Sequence, residues 1–309
     1  NKKTPTGIGR SSVIFGVAFV WFTTHFGGGF ASGAQIYSYY VRYGIWCLLM
    51  PTLAMLYNSI FFAYGMRFAR RHNVYDYRSY NNAFYGKFAP VFSNLFEILY
   101  ICVMCVAPAV AFATGGATLS ALTGLPYLLC TLMIGIFIFV VAIFGTDLVR
   151  CVASVLSVCI IAGLLIVYIP NIIHGQPQMA DTSVPTLLIV QNGIGKGFMT
   201  PLISILIILG AVSTAVNMVA AMVKRVSDGL EKYASHTGTS AGKKKISSRE
   251  IVIALICCLM DFGIAQFGLL TLIQKAYSFL AYLAIPVILV PYIVHMIVTR
   301  FDRKESPMS

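Results

Sequence analysis

The chain has 309 residues, of which 58% are hydrophobic and 10% are charged. A soluble globular domain carries roughly a quarter charged residues, so this composition excludes water as the main solvent. The net charge of +12 would suit a nucleic-acid-binding protein, but the 22 lysines and arginines lie at the ends of apolar runs. The composition therefore predicts an all-α, polytopic membrane helix bundle.

Apolar runs that are long enough to cross a bilayer recur along the whole chain. An α-helix needs about 20 mostly apolar residues to cross the hydrocarbon core. The sequence predicts eight spans, at about 12–40, 44–69, 90–117, 125–145, 148–173, 200–223, 250–271 and 276–299. We expect one transmembrane domain over residues 1–309, with a cytoplasmic linker at 226–248.

The connections between the predicted spans alternate in charge. The side that holds both termini and the even-numbered loops carries 19 of the 22 basic residues. The opposite side carries only Arg42, Lys196 and Lys275. Because cytoplasmic loops hold the excess of lysine and arginine, both termini are predicted to be cytoplasmic in a multi-pass protein of the cell membrane. This asymmetry accounts for the positive charge without a nucleic-acid partner and makes the lipid bilayer the predicted surroundings.

A glycine-rich stretch interrupts the first predicted span. Its glycines are Gly27, Gly28, Gly29 and Gly33. Glycine costs up to ~1 kcal/mol in a helix interior, so the sequence predicts unwound backbone around Phe26 to Phe30. Secondary transporters use such a break at mid-membrane to bind a solute and a cation. The alternative is that the glycines only permit close helix packing, and Gly29 and Gly33 have the spacing of that pattern.

Two ionisable side chains lie inside predicted spans. His25 precedes the glycines, where it either faces a cavity, to bind solute or carry a proton, or is packed and hydrogen-bonded. Asp261 lies near the middle of the seventh span, where a carboxylate is costly unless it is paired or hydrated. It is a candidate proton relay, and the alternative is a structural partner on a neighbouring helix. We find no constellation typical of a soluble enzyme, so enzymatic activity is not predicted.

The sequence GGGFASGAQI from Gly27 to Ile36 resembles the signature of the YkvI-like membrane proteins, a branch of the amino acid-polyamine-organocation transporter superfamily. Further similarity lies in Phe144–Asp147, in Val212–Val216 and in the last pair of spans. The resemblance implies the LeuT-type architecture of two inverted five-helix repeats. This chain has Gln35 where the family commonly has glutamate, so a carboxylate role at that position is absent.

The resemblance also implies which residues form the site. It assigns solute binding to His25, Gly27, Gly28, Gly29, Phe30, Ala31, Ser32 and Gly33, with Phe30 as a cavity wall. It assigns a cation site to Thr23, Phe26, Ser213 and Thr214. Hydroxyl and carbonyl oxygens suit a hard cation such as sodium, and no cofactor beyond a coupling sodium ion or proton is expected. The alternative for the two hydroxyls is a hydrogen bond to the carbonyl one turn earlier.

The chain is shorter than the family it resembles. That family has ten spans, and the span with Ser213 and Thr214 corresponds to its eighth. The equivalents of its sixth and seventh spans are missing, and the segment 174–200 stands in their place. Within that segment, Gly193–Phe198 is the alternative candidate for the broken sixth helix.

The predicted function is secondary transport of a small amino-acid-like or organic-cation solute, coupled to sodium or protons, by alternating access. The alternative is a shortened, non-transporting membrane protein of the same fold that serves as a binding or accessory protein.

Overall fold

The computed structural model describes residues 14–15, 18, 21–22, 25–144, 146–173, 182–193, 195–235 and 248–301. Every regular element among these residues is helical, so the predicted all-α class is confirmed. The helices are α1 Gly28–Ala31, α2 Ala34–Tyr39, α3 Met50–His72, α4 Tyr77–Tyr85, α5 Ala89–Thr123, α6 Tyr127–Phe144, α7 Thr146–Ile173, α8 Pro185–Asn192, α9 Lys196–Ser235, α10 Ser248–Ala265 and α11 Leu269–Val298. A 3₁₀ segment, Val41–Leu48, precedes α3.

Several helices in the described part of the chain are long and apolar enough to cross a membrane. They are Tyr77–Thr123, Tyr127–Phe144, Lys196–Ser227 and Leu269–Val298. A fifth span results if Val41–Leu48 and Met50–His72, which are bent by 70°, cross as one. These helices are compatible with a protein embedded in a membrane.

The predicted count of eight spans is larger than this number, and it stays a prediction. From Gly28 onward the first predicted span consists of the short helices α1 and α2, and much of its earlier part lies outside the described residues. The fifth corresponds to α7, Thr146–Ile173, whose side chains before Val158 lie mostly outside the described residues. In the seventh, α10 carries Arg249, Glu250 and Asp261 within its 18 residues, and charged groups weaken the apolar signal of a span.

The predicted cytoplasmic linker at 226–248 begins as helix. α9 continues without interruption to Ser235, and residues 236–247 lie outside the described part of the chain. Val226 and Leu230 are exposed on this extension. A polar sequence without proline remains compatible with a solvated helix, which is why the change in composition at 226 does not end α9.

Contacts divide the chain into two compact units. The first comprises Asn1–Ser38 and Met104–Gln274, and the second comprises Tyr39–Val103 and Lys275–Ser309.

The first unit is organised around α9. This helix packs against α1, α6, α7, α8 and α10. Residues that are almost fully buried recur along it every four positions, at Ile203, Ile207, Ala211, Ala215 and Val219. This spacing places them on one stripe of the helix, and the stripe lies in the centre of the unit.

The second unit has a mostly aromatic core. Its buried residues are Tyr64, Phe68, Phe84, Tyr85 and Met296. The hydroxyl group of Tyr85 donates a hydrogen bond of 2.7 Å to the carbonyl oxygen of Val287. A tyrosine in an apolar core needs such a partner for its hydroxyl group, so this bond holds Tyr85 in place.

Asp76 explains where α4 begins. It is the N-cap residue, with extended backbone, and its carboxylate accepts a hydrogen bond of 2.9 Å from the N–H of Ser79. The hydrogen bonds from Ser79 favour the charged form and lower the pKa of Asp76. The side chain thereby satisfies one of the free N–H groups at the start of the helix.

Candidate functional site

Two glycines interrupt the helix of the first predicted span. Gly27 has φ −63° and ψ 177°, an extended conformation, directly before α1. Gly33, between α1 and α2, has φ 80°, in the left-handed region that glycine adopts without strain. The predicted interruption is therefore confirmed.

The extent of the interruption differs from the prediction of unwound backbone from Phe26 to Phe30. Residues 28–31 form one helical turn, because the carbonyl oxygen of Gly27 accepts hydrogen bonds of 3.0 Å from the N–H groups of Phe30 and Ala31. The chain leaves the helical path at Gly27 and again at Gly33, which follows the C-cap residue Ser32.

The carbonyl groups at the second break have partners within the protein. The Ser32 hydroxyl donates a hydrogen bond of 3.1 Å to the carbonyl oxygen of Gly29. The carbonyl oxygen of Ser32 accepts a hydrogen bond of 3.0 Å from the N–H of Thr186, at the start of α8. Ser32 and Ala31 are fully buried, so protein groups take the place that water would have at the surface.

Close packing explains a different glycine. A Cβ atom added to Gly28 would lie 2.5 Å from the Thr114 hydroxyl oxygen and 3.1 Å from the Cα atom of Ala111. A Cβ atom on Gly29 would lie 2.6 Å from the side-chain oxygen of Gln35. The packing interpretation thus applies to Gly28 against α5, whereas the interpretation as a helix break applies to Gly27 and Gly33.

His25 lies between two aromatic rings. Its ring centroid is 5.0 Å from that of Trp21, with near-parallel planes, and 5.2 Å from that of Phe30. His25 and Phe30 are both half-buried. Of the two alternatives for His25, the ring contacts favour packing, and they also place Phe30 against His25.

The predicted cation site depends on how α9 approaches the first break. A Cβ atom added to Gly210 would lie 3.5 Å from the carbonyl oxygen of Phe26, so the backbone of α9 comes close to that oxygen. Thr214, one turn further along, donates a hydrogen bond of 3.1 Å from its hydroxyl to the carbonyl oxygen of Gly210. A hydrogen bond to the carbonyl one turn earlier was the alternative to cation binding for the two hydroxyls, and Thr214 makes this bond.

The remaining members of the predicted cation site are Ser213 and Thr23. Ser213 is buried on α9 next to Thr214. Thr23 lies outside the described residues. Phe26 thus approaches α9 at Gly210, about one turn before the hydroxyl pair.

The helix α8 was not predicted from the sequence. Its apolar run is too short to span a membrane, yet Pro185, Thr186, Leu187, Ile189 and Val190 are all buried in the first unit. The local signal was Pro185, since proline is favoured at the first position of a helix. Between α8 and α9, Gly193 is extended and Gly195 has φ 70°, whereas residue 194 lies outside the described part of the chain. Whether Gly193–Phe198 corresponds to a broken sixth helix stays a prediction.

Asp261 is buried in the first unit, with 2% of its surface exposed. It shares a buried face of α10 with Ala254, Cys257, Cys258 and Ala265. Its Oδ1 atom has no hydrogen-bond partner among the residues that the structure describes. The alternative to a proton relay was a structural partner on a neighbouring helix. The described residues supply no such partner for Oδ1.

No family model, no curated protein and no solved structure matches this chain. The resemblance to the YkvI-like proteins therefore rests on the residues quoted above, and what it implies is a proposal.

Proposed function

We propose that this protein is a secondary transporter of a small amino-acid-like or organic-cation solute. It crosses the cell membrane in eight spans of a LeuT-type fold, with both termini in the cytoplasm. A sodium or proton gradient drives transport by alternating access. The observation that carries this proposal is the double interruption of the first helix at Gly27 and Gly33, inside an apolar helical protein.

The break matters because it leaves main-chain groups outside regular helix bonding. In a membrane such groups are tolerated only where they are buried in protein or line a cavity. The carbonyl oxygen of Phe26 lies at the first break and faces the close approach of α9 at Gly210. Oxygen atoms of this kind can bind a sodium ion without a fixed charge.

Thr214 and Ser213 would complete the cation site from α9. The Thr214 hydroxyl donates its proton to the carbonyl oxygen of Gly210. A hydroxyl that donates one hydrogen bond keeps two lone pairs, so the bond within α9 orients the oxygen and leaves it able to bind a cation. The solute would lie along residues 25–33.

A second function is favoured by the contacts that the protein itself makes at both breaks. The Thr186 N–H occupies the carbonyl oxygen of Ser32, and Gly28 packs directly against Thr114. A break that the protein itself fills can serve folding rather than solute binding. The alternative is therefore a non-transporting binding or accessory protein of the same fold.

Uptake into liposomes tests the first function. The purified protein is reconstituted and supplied with labelled amino acids and organic cations under an inward sodium or proton gradient. We expect saturable uptake of at least one solute that collapses when the gradient is removed. A folded protein that transports none of them under either gradient would support the non-transporting alternative.

The double variant Ser213→Ala, Thr214→Ala tests the cation site. Each lost hydroxyl removes about 1 kcal/mol of hydrogen bonding, so the protein should still fold. Sodium dependence of uptake should be lost. The matched control is Ser59→Ala, because the Ser59 hydroxyl also bonds to a carbonyl one turn earlier, that of Met55, but in the second unit. Sodium dependence should be unchanged in this control.

A further inference from the structure

A cavity of about 510 Å³ lies in the first unit, and none of its lining residues belongs to the interrupted helix at 25–39. It is open to one side and is lined by the C-terminal end of α5, the start of α6, α8 and the junction of α10 with α11. Cavities of roughly 300–1,000 Å³ are typical of small-molecule sites in proteins. The size of this cavity therefore suits a small-molecule ligand.

Several polar side chains of the cavity offer an oxygen acceptor to a ligand. The hydroxyls of Ser120 and Tyr127 donate to the carbonyl oxygens of Leu125 and Ala265, at 2.7 and 2.8 Å. One N–H of the Gln266 side chain donates to the carbonyl oxygen of Phe262 at the end of α10. The two hydroxyl donors are thereby engaged, and the oxygen atoms of all three side chains keep lone pairs for a ligand.

Thr182 adds a polar group that is without a partner. Its hydroxyl oxygen is buried and has no hydrogen-bond partner among the residues that the structure describes. A buried hydroxyl without a partner costs about 1–3 kcal/mol, and a ligand that bonds to it recovers part of that free energy. Thr182 lines the same cavity as Ser120, Tyr127 and Gln266.

The described lining of the cavity has no charged side chain, and its remaining surface is largely aliphatic, with Val184, Leu187 and Leu269. An ion bound to these described residues would gain no opposite charge from them. The described lining therefore suits an uncharged ligand better than an ion.

We propose that this cavity is a binding site for an uncharged small molecule that carries N–H donors and a branched aliphatic group, such as a neutral amide. The donors bond to the oxygens of Thr182, Gln266 and Tyr127, and the aliphatic group packs on Leu187 and Leu269. The lining comes from connections on the side predicted to be external, so the ligand enters from outside the cell. Binding to this site is measured at equilibrium, so the test does not require transport activity.

Three ligands of equal heavy-atom number test the proposal. N-acetylleucinamide is uncharged, N-acetylleucine carries a carboxylate and leucine N-isopropylamide carries an ammonium group. Equilibrium dialysis with the purified full chain in lipid nanodiscs should give saturable binding of N-acetylleucinamide, at least tenfold tighter than that of either charged analogue. Absence of saturable binding by N-acetylleucinamide, or equal binding of a charged analogue, would overturn the proposal.

Two variants locate the binding. Thr182→Val removes the buried hydroxyl at nearly constant volume and should weaken binding of N-acetylleucinamide about fivefold. Ala121→Phe fills the cavity and should abolish binding, whereas Leu122→Phe, at the next residue and outside the lining, should leave it unchanged. Unchanged affinity in Thr182→Val, in a protein with the thermal stability of the wild type, would contradict this location even if Ala121→Phe failed to fold.

Discussion

The N–H of Thr186 donates a hydrogen bond of 3.0 Å to the carbonyl oxygen of Ser32. Both residues are at most 1% exposed, so water cannot replace either partner. The bond joins α8, a helix too short to cross a membrane, to the second break of the first predicted span. The position of α8 and the backbone path at Ser32 and Gly33 therefore depend on each other.

We predict that a second hydrogen bond holds α8 in this position. The hydroxyls of Tyr168 and Thr186 are 3.0 Å apart. Tyr168→Phe and Thr186→Val should each lower the free energy of unfolding by about 1 kcal/mol, and the double variant should cost less than the sum of the two. Thermal or denaturant unfolding in detergent measures these changes. Tyr282→Phe, at an exposed tyrosine, is the control and should be neutral. Strict additivity would contradict the bond.

We predict that Gly28→Ala destabilises the protein by about 1–3 kcal/mol, because the new methyl group would overlap Thr114 and approach the backbone of Ala111. Adding Thr114→Ala should recover part of the loss, since the nearest atom, the Thr114 hydroxyl oxygen, is then removed. Unfolding of the purified variants measures both effects.

Gly263→Ala is the matched control for Gly28. Gly263 also lies in a helix, α10, but no neighbouring atom lies within 4 Å of an added Cβ atom. Alanine there should raise the unfolding free energy by up to about 1 kcal/mol. If Gly28→Ala were stabilising as well, close packing at Gly28 would be contradicted.

We predict that Asp261→Asn does not lower the stability of the folded protein and raises it by about 1 kcal/mol. An amide of the same shape avoids burying a carboxylate whose Oδ1 has no partner in the described residues. If Asp261 relays protons, proton-driven uptake should be lost in the same variant. A clear loss of stability would instead indicate a structural partner for the carboxylate.

We predict that the N-cap contribution of Asp76 depends on pH. Because the pKa of Asp76 is lowered in the folded state, its stabilising effect is present above the unfolded-state pKa and is lost as the pH falls through the lowered value. Asp76→Ala should therefore destabilise the protein at neutral pH, and the difference from the wild type should shrink under acidic conditions. Unfolding measured across the acidic range tests this prediction, and a difference independent of pH would contradict it.

We predict from the charge asymmetry that Lys243 and both termini are cytoplasmic and that Gln178 is external. Single cysteines at these positions, in a variant whose native cysteines are replaced, should react with a membrane-impermeant thiol reagent accordingly. Labelling from outside intact cells should reach only Gln178→Cys. External labelling of Lys243→Cys would overturn the predicted order of spans.

The all-α class and the interruption of the first helix could be predicted from the sequence because both depend on local properties. Apolarity over about 20 residues is set by composition alone, and a glycine run lowers helix stability wherever it lies. The sequence left open the roles of His25 and Thr214, because each role depends on which groups the side chain contacts in the folded protein. Thr214 bonds within α9, and His25 packs between Trp21 and Phe30, and neither outcome could be chosen from the residue types.

Only the tertiary structure decided which glycines break the helix and which one permits close packing. Gly27 and Gly33 have backbone conformations that break the helix, whereas Gly28 is required by Thr114 and Ala111, which are distant in sequence. The burial of α8 and the cavity beside it also depend on segments that the chain brings together from far apart. Local sequence determines helix formation and its interruptions, but packing depends on the shapes of surfaces that meet only after the chain has folded.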